Sequence, residues 1–160
     1  MRPAGDTKCV GVIDTTFSRV DMGSIAEEVL REQLPEYRLQ RYTVPGIKDI
    51  PGAARRMIDM GCEGIITLGW VGPNQVDKFS YLAMSVGLIV LSVLTGKVII
   101  DVTVHEEEAS TPSELKEIAV NRARAHAENL VKLLRGGPDA LRPLAGKGVR
   151  QGRPSVGPIE

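Results

Sequence analysis

The run KCVGVIDTTFSRVDMGSIAEEVLREQL, Lys8 to Leu34, decides the fold. Lys8 to Asp14 is an unbroken apolar stretch of strand length, the pattern of a strand buried on both faces in a parallel sheet. Asp21 to Leu34 follows with Ile25, Val29 and Leu30 at helical spacing and Asp21 as N-cap. This is a βα unit, and the polar loop inside it sits at the carboxyl end of the strand, where sheets of this kind bind ligands. Asp14, Thr15, Thr16, Phe17 and Arg19 supply a carboxylate, two hydroxyls, a flat ring and a guanidinium. Such groups suit a flat, polyhydroxylated ligand.

The alternation continues along the chain. Tyr37 to Val44 reads as a second strand, and Ile50 to Gly61 as a short helix with Pro51 near its start and Gly61 after its end. Gly64 to Gly69 is a third, buried strand, Asn74 to Leu94 a long helix, and Val98 to His105 a fourth strand. Thr111-Pro112-Ser113-Glu114 is a capping box opening a last helix, which Gly136-Gly137-Pro138 should break near Arg135. Strands separated by helices imply right-handed crossovers and one layered α/β domain over residues 1–135. In the fourth strand Val98, Ile100, Val102 and Val104 share one face, with Ile99, Asp101, Thr103 and His105 on the other. That alternation marks an edge, either solvated or facing a neighbouring subunit. The tail, 136–160, is rich in Gly, Pro, Arg and Lys without a period; composition alone reads as disordered, but the tail is expected to pack on the domain or on a neighbouring subunit.

Composition narrows the partners. A chain of 160 residues is long enough for one sizeable core. Twenty acidic and 20 basic residues cancel and aromatics make up 4%, so neither a nucleic-acid footprint nor a base-stacking platform is evident. The longest apolar run, Leu82 to Thr95, is interrupted by Ser85, Gly87 and Ser92 and is too short to span a bilayer, so no membrane association is expected. Cys9 and Cys62 lie singly in apolar runs and read as reduced core thiols. With no leader ahead of the first strand, a cytoplasmic protein is expected.

The strand ends gather the candidate site. After the second strand come Pro45, Gly46, Ile47, Lys48 and Asp49; Gly46 reads either as a turn glycine or as an opening to the main chain. Lys48 and Asp49 suit a solvated pair, with Asp49 also a cap for the next helix, or ligand contacts. Trp70 and Val71 end the third strand. Lys78 stands in the first turns of the following helix, whose positive end favours the neutral amine. His105 ends the fourth strand just before Glu106, Glu107 and Glu108, and a histidine there is an acid/base candidate. The three glutamates read as a solvated charge run rather than a metal site. In the tail, Ala145 to Gly152 (AGKGVRQG) pairs flexible glycines with Lys147, Arg150 and Gln151, cations and an amide able to clasp a ligand.

The segments VGVIDTTFSRVDM (Val10 to Met22), TVPGIKDIP (Thr43 to Pro51), VTVHE (Val102 to Glu106) and AGKGVRQG resemble the archaeal-type riboflavin synthases, relatives of lumazine synthase. Lumazine synthases carry a similar VPG turn and a stacking Phe, matching Val44 to Gly46 and Phe17. Where they have His-Phe-x-Tyr, this chain has Lys78-Phe79-Ser80-Tyr81, which argues against lumazine synthase activity proper. The resemblance implies a flavodoxin-like three-layer domain with a four-stranded parallel sheet and an irregular tail. It implies a transferase that dismutates two 6,7-dimethyl-8-ribityllumazine molecules, passing a four-carbon unit between them to give riboflavin and 5-amino-6-ribitylaminopyrimidinedione. The acidic C7 methyl of that substrate would need proton transfers, for which Lys78 and His105 are the candidates. Phe17 would stack on a ring, Pro45 to Asp49 would hold a ribityl chain, and Asp14, Thr15, Thr16, Trp70 and Val71 would line the site. No redox cofactor is implied; Mg2+ stands as an optional helper ion. Family relatives form rings of five, alone or as larger assemblies of such rings, with sites between subunits, which would let Lys147, Arg150 and Gln151 close over a site.

Overall fold

The computed structural model describes residues 7–160. Four strands, β1 (Cys9–Thr15), β2 (Arg38–Val44), β3 (Cys62–Val71) and β4 (Val98–His105), form one all-parallel sheet in the order β2-β1-β3-β4. The helices α1 (Met22–Gln33), α2 (Ile50–Asp59), α3 (Gln75–Thr95) and α4 (Pro112–Gly136) cover both faces. This is the three-layer α/β architecture with a four-stranded parallel sheet that the resemblance implies. All seven residues of β1 are buried, as are nine of the ten in β3, because each has a strand on both sides and helices above and below.

Strand periodicity sorts the core into two layers. Val10, Val12, Ile66, Leu68, Trp70, Val102 and Val104 meet α1 and α4, while Ile13, Ile65 and Val71 meet α2 and α3. Caps set the helix ends. Asp21 accepts hydrogen bonds from the Ser24 N–H (3.1 Å) and hydroxyl (2.7 Å) to start α1, bonds that also lower the pKa of its carboxyl against the opposing effect of burial. Thr111 accepts from the Glu114 N–H ahead of Pro112 to start α4, and Gly96, at φ 67°, ends α3 in a conformation that disfavours other residues.

Two sequence expectations are corrected here. Cys9 and Cys62 are not separate thiols: the β1–β3 register sets them side by side, Cα atoms 4.1 Å apart, and they are joined as a disulfide. The apolar run is not short: α3 is continuous over 21 residues and long and apolar enough, by length and composition, to cross a membrane. Only Met84, Leu88 and Leu91 are buried, against β3, β4 and α2, which leaves Val76, Phe79, Leu82, Val86, Ile89, Val90, Val93 and Leu94 exposed along its other side. The tail packs on the domain: Gly152 N–H donates to Asn121 Oδ1 (2.8 Å) and Arg122 Nε donates to the Gln151 carbonyl (3.1 Å), fixing it along α4. As expected, β4 is an edge, with Asp101 on the α3 side accepting from Thr67 and Thr103 hydroxyls at 2.8 and 2.9 Å.

A thiol titration of denatured, unreduced protein should find no free thiol, and two after reduction. Two free thiols before reduction would restore the sequence reading.

Candidate active site

The strand order reverses direction between β1 and β3, so the loops leaving their carboxyl ends part and open a crevice. Phe17, after β1, lies there against Gly72, after β3: a Cβ on Gly72 would come 3.5 Å from Phe17 Cζ and 2.6 Å from Asp77 Oδ2. The β1 loop is stitched to the β2 loop beside it, with Thr16 N–H donating to the Val44 carbonyl (2.9 Å) and Thr16 Oγ1 to the Pro45 carbonyl (3.2 Å). These contacts frame a cleft of about 360 Å³ lined by Phe17, Pro45, Gly46, Ile47, Lys48, Asp49, Trp70, Asp77 and Ser80. Its volume suits one small-molecule ligand.

Within it, Gly46 has φ −148°, a conformation open to any residue, so left-handed freedom is not its use. A Cβ there would meet nothing within 4 Å, so glycine bares the main chain at the cleft wall. Asp49 does not cap α2: its carboxylate accepts from the Gly46 N–H at 3.1 Å and tightens the turn instead. The Phe17 ring is half exposed, and Trp70 is buried with its indole N–H donating to Glu106 Oε1 at 2.9 Å.

Other candidates stand elsewhere. Asp14 is buried and fully engaged, accepting from Arg41 Nη2 (2.5 Å) and Thr43 Oγ1 (2.6 Å). The hydrogen bond that Arg41 donates to Asp14, opposed by burial, is the largest of the influences that raise the Arg41 guanidinium pKa still further. Thr15 is buried and accepts from the Ser18 N–H (3.2 Å), and Val71 belongs to the core under α2 and α3. Lys78 pairs with Glu107 at 2.9 Å, and His105 packs edge-on to Tyr81, ring centroids 4.7 Å apart; neither lines the cleft. Lys147, Arg150 and Gln151 run beyond α4 and do not reach the cleft of their own chain.

The glutamate turn after β4 is not a solvated run. Glu106 takes Trp70 and, at 3.4 Å, Arg19; Glu107 takes Lys78; Glu108 takes both ends of the Arg122 guanidinium at 2.6 and 2.8 Å, with Arg153 at 3.4 Å. Burial pushes the Glu108 carboxyl up, but the Arg122 bonds, the His105 N–H and the charges of Arg122 and Arg153 outweigh it and pull the pKa down to about 2. Carboxylates that diverge onto four cations do not fit a metal site, and among the described residues no group of three or more His, Cys, Asp or Glu side chains is arranged to hold an ion.

Asp77 and Ser80 were missed in the sequence. Their i, i+3 spacing in the first turns of α3 puts both on one face, a signal that Lys78 between them obscured.

Comparison with known proteins matches residues 8–136 to the family model described as 6,7-dimethyl-8-ribityllumazine synthase. The chain is 69% identical to the riboflavin synthase of Aeropyrum pernix, over 96% of this chain and 99% of that one. It is 50% identical to the riboflavin synthase of Archaeoglobus fulgidus (94% and 97% covered) and 45% to that of Methanothermobacter thermautotrophicus (94% and 98%).

A folded-state pKa near 2 against an ordinary 4.5 means that the Glu108–Arg122 pair stabilises the fold above pH 4.5 and loses that contribution as pH falls towards 2. Glu108→Gln should therefore cost about 2 kcal/mol at pH 7, the scale of a lost hydrogen bond to a charged group, and close to nothing at pH 2. Urea unfolding at the two pH values checks this; an equal loss at both would show that charge is not the cause.

Proposed function

The chain belongs to the 6,7-dimethyl-8-ribityllumazine synthase family, and from that premise we propose that it is a riboflavin synthase, an enzyme of riboflavin biosynthesis. The reaction is the dismutation of two 6,7-dimethyl-8-ribityllumazine molecules into riboflavin and 5-amino-6-ribitylaminopyrimidinedione. The carrying observation is the cleft at the strand reversal, where Phe17, Trp70 and the bare backbone of Pro45 to Asp49 meet. A flat ring stacks on the half-exposed Phe17, and the ribityl chain lies along the VPG turn, whose unhindered main chain at Gly46 suits a polyol. The names of the relatives support the same activity.

Holding two such rings in reacting orientation contributes on the order of 7 to 11 kcal/mol in well-aligned cases. One cleft of about 360 Å³ is sized for one ring, so the second is held at a surface that a neighbouring copy completes. The exposed apolar stripe of α3 is the contact for that copy, since monomers rarely leave so continuous a patch in water. The assembly is a homopentamer, alone or within a larger shell, and in it Lys147, Arg150 and Gln151 of one copy reach the site of another. Trp70, and through it Glu106, fixes the cleft wall, while Lys78 and His105 act at the rim.

The family description favours a second reading, lumazine synthase activity from a pyrimidine and a dihydroxybutanone phosphate. Lys78 in place of the histidine speaks against it.

Incubated with the lumazine alone, purified protein should form riboflavin and the pyrimidinedione in equal amounts. No conversion, with or without Mg2+, overturns the assignment, and lumazine formation from the two smaller substrates would establish the second reading. Leu82→Glu and Val93→Glu, both on the exposed stripe, should reduce the sedimentation coefficient to that of a monomer and abolish conversion; a monomeric wild type would refute the assembly.

A further inference from the structure

We propose that Asp77 is the catalytic base of the cleft, taking the proton from the C7 methyl of the bound lumazine. This rests on the reading of the chain as a riboflavin synthase. The carboxylates around the crevice are otherwise committed: Asp14 to Arg41 and Thr43, Asp49 to the Gly46 N–H, Glu106 to Trp70 and Arg19, Glu107 to Lys78. Asp77 lines the cleft, and among the described residues its carboxylate has neither an ion-pair partner nor a side-chain hydrogen bond. Gly72 also brings it beside the stacking ring: Asp77 Oδ2 fills the space a Cβ there would take, 2.6 Å from that position, and Phe17 Cζ lies 3.5 Å from the same position, so oxygen and ring border one residue. A flat ligand stacked on Phe17 presents its periphery to that oxygen. By contrast, Lys78 and His105 are engaged with Glu107 and Tyr81 outside the cleft lining.

The step is a simple transfer. The methyl C–H bond breaks, its electron pair passes into the lumazine ring, and an O–H bond forms on Asp77; the ring anion is then the nucleophile towards the second lumazine. Lys48, lining the same cleft and likewise unpaired among the described residues, brings a positive charge that favours this anion. A competing, purely structural role exists, since an acid in the first turn complements the positive end of α3. That role would alter thermal stability and leave proton transfer untouched.

The test follows deuterium uptake into the C7 methyl by NMR in D2O, above the rate in buffer, together with riboflavin formation and lumazine affinity. Asp77→Asn should lower both enzyme-driven exchange and kcat roughly 100-fold, the scale of a lost general base, while Kd changes less than threefold; Asp77→Glu should recover part of both. Exchange and kcat at wild-type levels in Asp77→Asn overturn the proposal, and so does a loss confined to Kd or to thermal stability. If the wild type itself forms no riboflavin, the underlying reading fails and this role falls with it.

Discussion

The parallel pairing of β1 between β2 and β3 is the constraint on which the rest of the structure depends. A strand paired on both edges and covered on both faces has little place for a charged side chain except at its ends. Polar chemistry is therefore driven to the carboxyl edge of the sheet, and the reversal of strand order beside β1 makes one point on that edge open rather than closed. Phe17 and Gly72 occupy that point. The site follows from topology before any residue is chosen for chemistry.

Charge placement then separates scaffold from site. Arg41 gathers Asp14, Asp21 and Glu27 at 2.5, 2.9 and 3.1 Å, and Arg122 binds Glu108, the Thr103 carbonyl and the tail. Both guanidiniums are planar forks able to satisfy several acceptors at once, a role for which lysine is poorly shaped. Between them they pin β1, β2 and the end of β4, and the second half of the tail at Gln151. Gly152, at φ 81°, carries no Cβ because one would sit 2.5 Å from Arg122 Nε, so the tail fits only over this arginine. What these networks leave unpaired at the crevice among the described residues, Asp77 and Lys48, is what remains available to a ligand.

The sequence disclosed elements well and side-chain directions poorly. Continuous apolar runs, caps and glycine stops placed every helix and strand to within a few residues, and the strand-end rule placed Phe17, Pro45 to Asp49 and Trp70 on one cleft. It did not show that Trp70 and Val71 point to opposite faces with different fates, or that Asp14 turns sideways onto Arg41 of the neighbouring strand. Both depend on register, as does the Cys9–Cys62 pairing across 53 residues of chain. The glutamates after β4 looked alike because they are adjacent, and only the turn they form sends each to a different partner. For a related reason the sequence left open what the tail packs on: its composition lacks a core of its own, and the contacts that order it come from Asn121 and Arg122 on α4.

One helix ties the cleft to the outer surface. Asp77 and Ser80 face the cleft, while Val76, Phe79 and Leu82, interleaved with them, are exposed apolar side chains. Positions three apart on a helix share a face and positions one apart diverge by about 100°, so both sets lie within the same two turns. Whatever covers Phe79 and Leu82 must come to rest within a few ångströms of the cleft rim. A shift of α3 on gaining or losing that cover would move Asp77 with it, because Asp77 is carried by the first turn of the same rigid rod. Occupancy of the outer face and geometry of the inner one are thus coupled by the helix itself, with no further device required.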